Sequence, residues 1–149
     1  MPVIIDHIGI VVQSLEDGIR QWTELFGYTQ ATEPVENSRQ KVRVVFMAKK
    51  DSGMIKLVEP TGEDSPIWRQ ARKGGGLNHI CFRCEDVDSA VEQFRNMGLH
   101  VLSGPEPGEA FEGGKIAFIF AKLGLNIELI DTDRKAGLRT SGRNERPAT

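Results

Sequence analysis

At 149 residues the chain is long enough for one compact domain or for two small modules sharing a core, and 39% hydrophobic with 27% charged residues places it among globular rather than disordered proteins. A formal net charge of −2 with a pI near 5.9 gives no electrostatic reason to hold nucleic acid, and no apolar run approaches the length of a membrane span. The opening Met1-Pro2-Val3-Ile4-Ile5-Asp6 lacks the basic region and cleavage site of a secretory leader, so a cytoplasmic protein is expected, with no membrane and no nucleic-acid partner.

Val3 to Val12 is β-branched and strand-like. Ser14 can then cap a helix whose apolar stripe is Leu15, Ile19, Trp22, Leu25 and Phe26, stopping near Gly27. Three shorter strands follow, at Thr29 to Glu33, Lys41 to Ala48 and Gly53 to Glu59, with turns at Glu33-Pro34 and Glu36-Asn37-Ser38. Ser65 and Pro66 suit the start of a short connecting helix, whose Arg69, Arg72 and Lys73 read as a solvated basic face. Gly74-Gly75-Gly76 reads as a flexible joint.

The plan then repeats. A strand from Asn78 to Cys84 leads to a cap at Asp86, a stripe of Val87, Val91, Phe94 and Met97, and a stop at Gly98. Strands are expected at His100 to Ser103, Gly114 to Ala121 and Asn126 to Asp131, with a loop at Gly104-Pro105-Glu106-Pro107-Gly108. Trp22 and Phe94 hold matching places and both read as core. Cys81 and Cys84 have C-x-x-C spacing, but residues three apart on a strand point to opposite faces, which rules out a disulfide or joint ligation.

The repeat has a fixed offset. His79 lies 72 residues after His7, and the same offset carries Arg43-Val44-Val45-Phe46 onto Lys115-Ile116-Ala117-Phe118 and Met54-Ile55-Lys56-Leu57-Val58 onto Asn126-Ile127-Glu128-Leu129-Ile130. The expected architecture is therefore α+β: a βαβββ module at 1–62, a connecting helix and glycine joint at 63–76, and a second βαβββ module at 77–132, with curved sheets around a cleft. Residues 133–149 are polar and basic, with Leu138 their only large apolar residue, and are expected to be mobile or to lie against a partner subunit.

Strand parity puts His7, Gly9 and Val11 on one face and leaves Ile8, Ile10 and Val12 for the helix. The same parity groups His79 with Cys81, Lys56 with Val58 and Glu128 with Ile130. Two imidazoles and a carboxylate are sound ligands for zinc, nickel, cobalt, manganese or iron. Lys56 does not fit that set. An ammonium has no lone pair and repels a dication, so it either turns away from a three-ligand metal or replaces it by pairing with Glu128.

This two-fold plan, with a histidine on the first strand of each half and an acid in Ile127-Glu128-Leu129, resembles the vicinal oxygen chelate superfamily of glyoxalase-like proteins. Asp64-Ser65-Pro66-Ile67, Gly76-Leu77-Asn78-His79-Ile80-Cys81-Phe82 and Gly113-Gly114-Lys115-Ile116-Ala117-Phe118 resemble its methylmalonyl-CoA epimerase branch most closely, and the similarity spans residues 3 to 131. The resemblance implies a cleft metal with His7, His79 and Glu128 as three ligands and Lys56 where the family has Gln or Glu. It also implies a carboxylate base just before Val44-Val45-Phe46; ungapped alignment puts Arg39 there, and a local shift puts Glu36.

Three functions follow. The first is a metal-assisted isomerase or lyase, expected as a homodimer, in which a three-ligand centre polarises the carbonyl of a small carbonyl or acyl-thioester substrate while Glu128 or Glu36 transfers the proton. In the second, Lys56 is itself the electrophile, base or imine-former, with no metal. The third is a metal-free small-molecule-binding module with a structural Lys56–Glu128 pair.

Overall fold

The structure, a computed structural model, describes residues 3–139. Its strands are β1 (Ile4–Val11), β2 (Thr29–Gln30), β3 (Val35–Asn37), β4 (Val42–Ala48), β5 (Met54–Pro60), β6 (Gly76–Arg83), β7 (His100–Gly108), β8 (Gly114–Phe120) and β9 (Asn126–Ile130). The helices are α1 (Leu15–Phe26), α2 (Trp68–Arg72) and α3 (Val87–Asn96). The strands form one curved sheet in the order β2-β4-β5-β1-β6-β9-β8-β7, with β3 also on β4. The two halves meet at its centre, where β1 and β6 run antiparallel.

Each helix covers the convex side of its own half. Leu15 of α1 packs with Val45, Met47, Ile55 and Leu57, and Val87, Ala90 and Val91 of α3 pack with Ala117, Ile119, Ile127 and Leu129. Alternation then sends Val44, Phe46, Val58, Cys81, Ile116 and Ile130 to the concave side, where they pack around Phe111. The caps follow the sequence: Ser14 Oγ accepts from the Asp17 N–H, Asp86 from the Ser89 N–H, and Gly27 closes α1 with a left-handed φ of 74°.

Several local expectations change. The expected Thr29 to Glu33 strand shortens to β2, and after Pro34, which has no N–H to give a ladder, a further strand β3 takes in Glu36 and Asn37 of the expected turn; both pair with β4. The expected 104–108 loop is strand, because β7 is the sheet edge, where a proline is tolerated, and a register shift between Ser103 and Glu106 absorbs Pro105. Helix α2 starts at Trp68, and Ser65 instead closes the turn before it, its carbonyl accepting from the Trp68 N–H. At the glycine joint the three φ values are all positive, and a Cβ on Gly75 would stand 2.3 Å from the Val11 carbonyl oxygen, so this is a close backbone crossing rather than slack chain. Trp22 and Phe94 are half-buried, but Leu25 (67% exposed), Phe26 (45%) and Met97 (67%) turn outward at the C-terminal ends of the two helices.

Residues 133–139 depart most from expectation. They are not loose: the Ala136 N–H donates to the Ala110 carbonyl (2.9 Å), the Glu33 N–H to the Gly137 carbonyl (2.7 Å) and the Arg139 N–H to the Ala31 carbonyl (3.0 Å). Backbone pairing and one buried side chain, Lys135, seat this strap where apolar content alone predicted none. The remainder of the expected tail, 140–149, lies outside the described residues. Cys81 and Cys84 are both free and buried. No helix among the described residues is long and apolar enough to cross a membrane.

Candidate active site

The concave face brings His7, His79, Glu128 and Lys56 together from four different strands. Their ladders explain why: His79 on β6 and Lys56 on β5 both pair with Gly9 on β1, and Glu128 on β9 pairs with Cys81 on β6. His7 Nε2 and His79 Nε2 each lie 3.0 Å from Glu128 Oε1, and Lys56 Nζ lies 3.3 Å from both Glu128 oxygens.

Gly9 makes room for this arrangement. A Cβ there would lie 2.1 Å from His79 Cε1, so only glycine lets the ring fold back over β1.

Each imidazole is oriented by the residue before it. On a regular strand consecutive side chains point to opposite faces, but β1 and β6 each carry one extra residue where they pair, Asp6 on β1 and Asn78 on β6. These bulges turn Asp6 and Asn78 toward the neighbouring rings. Asp6 Oδ2 lies 2.7 Å from His7 Nδ1, and Asn78 Oδ1 lies 2.7 Å from His79 Nδ1.

The tautomers follow. Asp6 as a carboxylate only accepts, so His7 carries a proton on Nδ1. Gln70 Nε2 donates to the Leu77 carbonyl (2.8 Å), which turns Gln70 Oε1 toward Asn78 Nδ2 (2.9 Å) and leaves Asn78 Oδ1 to accept from His79 Nδ1. His79 Nε2 is then a buried lone pair. It has no hydrogen-bond partner, with a Glu128 oxygen 3.0 Å away, whereas His7 Nε2 is hydrogen-bonded to that oxygen at the same distance.

Burial pushes the Glu128 carboxyl up, but the Lys56 ammonium and the His7 hydrogen bond outweigh it and hold it well below the usual carboxylate range. Burial lowers His79, against the pull of Glu128. Burial also raises Asp6, yet the His7 hydrogen bond and the Lys135 charge leave it lowered overall. The Cys81 thiol is pushed well up by burial and by Glu128, which makes it an inert neighbour.

Converging imidazole lone pairs and a carboxylate oxygen, each imidazole tied at its other nitrogen, suit a divalent cation. The ligand atoms of His7, His79 and Glu128 all lie within 4.8 Å of one another. The fourth corner is the Lys56 ammonium, which satisfies part of the same negative charge.

A cavity of about 400 Å³ opens onto this cluster, lined by Asn37, Gln40, Lys56, His79, Phe118 and Asn126 among others. Lys56 (4% exposed) and His79 (6%) face it, while His7 (1%) and Glu128 (0%) lie beneath. Glu36 is not part of the site. Its neighbours Val35 and Asn37 turn inward on β3, so Glu36 stands on the solvent side, opposite Arg43 on β4. Arg39 is also exposed.

A family model, Glyoxalase/Bleomycin resistance protein/Dioxygenase superfamily, matches residues 6–118. The chain belongs to that superfamily. Among its glyoxalase-like relatives, an ethylmalonyl-CoA/methylmalonyl-CoA epimerase of Cereibacter sphaeroides is 29% identical over 120 residues, covering 79% of this chain and 88% of the relative. A solved methylmalonyl-CoA epimerase variant of Streptomyces coelicolor, in complex with 2-nitronate-propionyl-CoA, has a TM-score of 0.75 at 31% identity and covers 86% of this chain and 96% of its own. Another methylmalonyl-CoA epimerase, in complex with methylmalonyl-CoA and NH4+, has a TM-score of 0.75 at 30% identity over 90% of this glyoxalase-like chain and 96% of its own.

Residue patterns singled out His7, His79, Lys56 and Glu128 but not their supports. Asp6 and Asn78 are themselves 72 apart, as are Phe46 and Phe118, whose rings stand edge-on to His7 and His79 at centroid distances of 5.2 and 5.9 Å. The offset therefore held a signal for both pairs. Lys135 and Phe111 had none.

Proposed function

We propose that the chain is an isomerase that moves a proton beside the carbonyl of a small acyl-thioester, with a divalent metal of the zinc, nickel, cobalt, manganese or iron type held by His7, His79 and Glu128. The observation that carries this reading is the pair of imidazoles tied at Nδ1, with both Nε2 atoms 3.0 Å from one Glu128 oxygen. When bound, such an ion supplies Lewis-acid stabilisation to an oxygen that gains charge as the carbon acid loses its proton.

The chain's own groups do the rest. Lys56 meets the substrate from the cleft floor and orients its oxygens, Asn37 and Asn126 offer amide donors, and Phe118 keeps water from one wall. Glu128, held well below the ordinary carboxylate range, is too weak a base to take a carbon-bound proton. Glu106 replaces Glu36 and Glu128 in that role. It is a half-buried carboxylate that accepts from Gln40 Nε2 at 2.8 Å, and Gln40 lines the cleft. Glu106→Gln is expected to slow proton exchange about 10²–10⁴-fold with the fold intact.

A second reading rests on Lys56 itself, which faces the cleft 3.3 Å from both Glu128 oxygens. In it the ammonium is the electrophile and no metal is needed.

Two measurements separate these readings. Protein purified without chelator or affinity tag is assayed for metal: about one equivalent supports the first reading and none the second. Deuterium uptake from solvent into methylmalonyl-CoA or ethylmalonyl-CoA then tests the reaction, and no uptake with either sinks the acyl-thioester assignment. Lys56→Gln is expected to raise metal uptake and lower turnover only in part if a metal acts, and to abolish turnover if the ammonium acts.

A further inference from the structure

Lys135 is the one long cation that the C-terminal strap sends into the concave face. Its side chain is 3% exposed, its Nζ lies 3.2 Å from each Asp6 oxygen, and it stands 5.1 Å from the Phe46 ring centroid. Asp6 in turn holds His7 Nδ1 at 2.7 Å. The chain of contacts runs from strap to bulge to ring.

The strap does not need this ammonium to stay in place. Its backbone is bonded to Ala110 of the second module and to Ala31 and Glu33 of the first. Nζ sits between Asp6 and the rings of Phe46 and Phe111, so a methionine of similar length would fill the space but leave Asp6 with only the more exposed Arg83, 3.6 Å from Oδ1, as a cation. What the Lys135 charge does is occupy the far side of Asp6.

We propose that Lys135 is a positioning residue for His7: by gripping both oxygens of Asp6 it fixes the carboxylate against Nδ1, so that the ring is held with Nε2 toward Glu128. His79 has no such charged support, since its own partner is the neutral Asn78. The metal-binding part of this inference rests on the cation-holding reading of the site; the part that concerns the His7–Asp6 hydrogen bond does not.

The test uses the full chain labelled with ¹⁵N at histidine. In the wild type, His7 is expected to show an ordered Nδ1–H signal shifted downfield by its hydrogen bond to Asp6. Lys135→Met is expected to broaden or lose that Nδ1–H signal while His79 keeps its own, and Lys135→Arg to restore it. Titrated with zinc alone, Lys135→Met is expected to bind about 10–100-fold more weakly and Lys135→Arg within severalfold of the wild type. A purely structural lysine would change the melting temperature and leave both readouts alone. A folded Lys135→Met with an unchanged His7 signal and zinc affinity within about threefold of the wild type overturns the proposal. If Lys135→Met fails to fold, Lys135→Gln, which keeps an N–H for Asp6 without the charge, is read by the same two measurements and the same criteria. If the wild type takes up no metal, the metal reading fails, and the His7 Nδ1–H signal in the variants still decides the role of Lys135.

Discussion

The two histidines sit on equivalent strands of a duplicated frame, yet their settings differ in charge. His7 is tied to an acid that is itself paired with Lys135, and it lies wholly beneath the cleft. His79 is tied to a neutral amide and lines the cleft wall. Close packing differs too. The residue 72 positions after Gly9 is Cys81, whose sulfur is accommodated within 4.8 Å of ligand atoms on Asp6 and His7, whereas the ring of His79 leaves no room for even one carbon on Gly9. Duplication supplied the geometry; later divergence made one imidazole an anchor and the other the ring that meets the cleft.

The largest effect is expected at the residue both histidines share. Glu128→Ala leaves the Lys56 ammonium buried without its partner and should cost about 3–5 kcal/mol in urea denaturation. Changing both partners together, Lys56→Met with Glu128→Leu, should recover at least half of that loss, because the desolvation penalty of two charges goes with them. Equal losses in the single and double variants would show that the pair is not what holds the concave face together.

Gly9→Ala attacks the His79 side alone. A methyl 2.1 Å from Cε1 must displace the ring, at a cost of about 1–3 kcal/mol, and metal uptake should fall with it. Cys81→Ala, at the equivalent place beside His7, should leave metal uptake nearly unchanged. Similar losses in uptake from both substitutions would erase the asymmetry.

That asymmetry also marks how far residue patterns reach. Alternation and the 72-residue offset were enough to place His7, His79, Lys56 and Glu128 on one face, because strand parity is a local rule and duplication carries it to the second half. They were not enough for Asp6 and Asn78, since parity sends the neighbour of an inward residue outward and only a bulge reverses it. Glu36 failed for the same reason in the opposite sense: a regular β3 keeps it outside. Lys135 was beyond any periodic signal. Its place depends on backbone bonds to Ala110, Ala31 and Glu33, contacts far apart in sequence that composition cannot foresee.

Acid should expose the His79 setting next. Its folded pKa lies below the ordinary value of 6.5, so as pH falls below 6.5 the unfolded chain takes up a proton that the folded chain refuses, and stability declines. Glu128 adds a second loss at lower pH: its folded pKa is well below 4.5, so its contribution is complete above 4.5 and disappears as pH falls through the folded value. A melting-temperature profile should therefore begin to drop below pH 6.5 and steepen below 4.5. His79→Gln should flatten the first limb and keep the second. An unaltered first limb would mean that His79 is not the group responsible for it.

The smallest effect is expected at Glu36, and it bears on where the proton goes. An exposed carboxylate beside Arg43 on the outer face contributes little to stability, so Glu36→Gln should shift urea denaturation by no more than about 0.5 kcal/mol. Solvent deuterium uptake should also stay within about twofold of the wild type, against a loss of two or more orders for Glu106→Gln. The pair is informative because both are acids on strands near the cleft, one facing out and one bonded to Gln40 at its rim. If Glu36→Gln stops exchange while Glu106→Gln does not, β3 must turn over when substrate binds and bring its outer face inward. In that event Asn37, now buried at the cleft, would have to give up its place, and Asn37→Ala would then speed exchange rather than slow it.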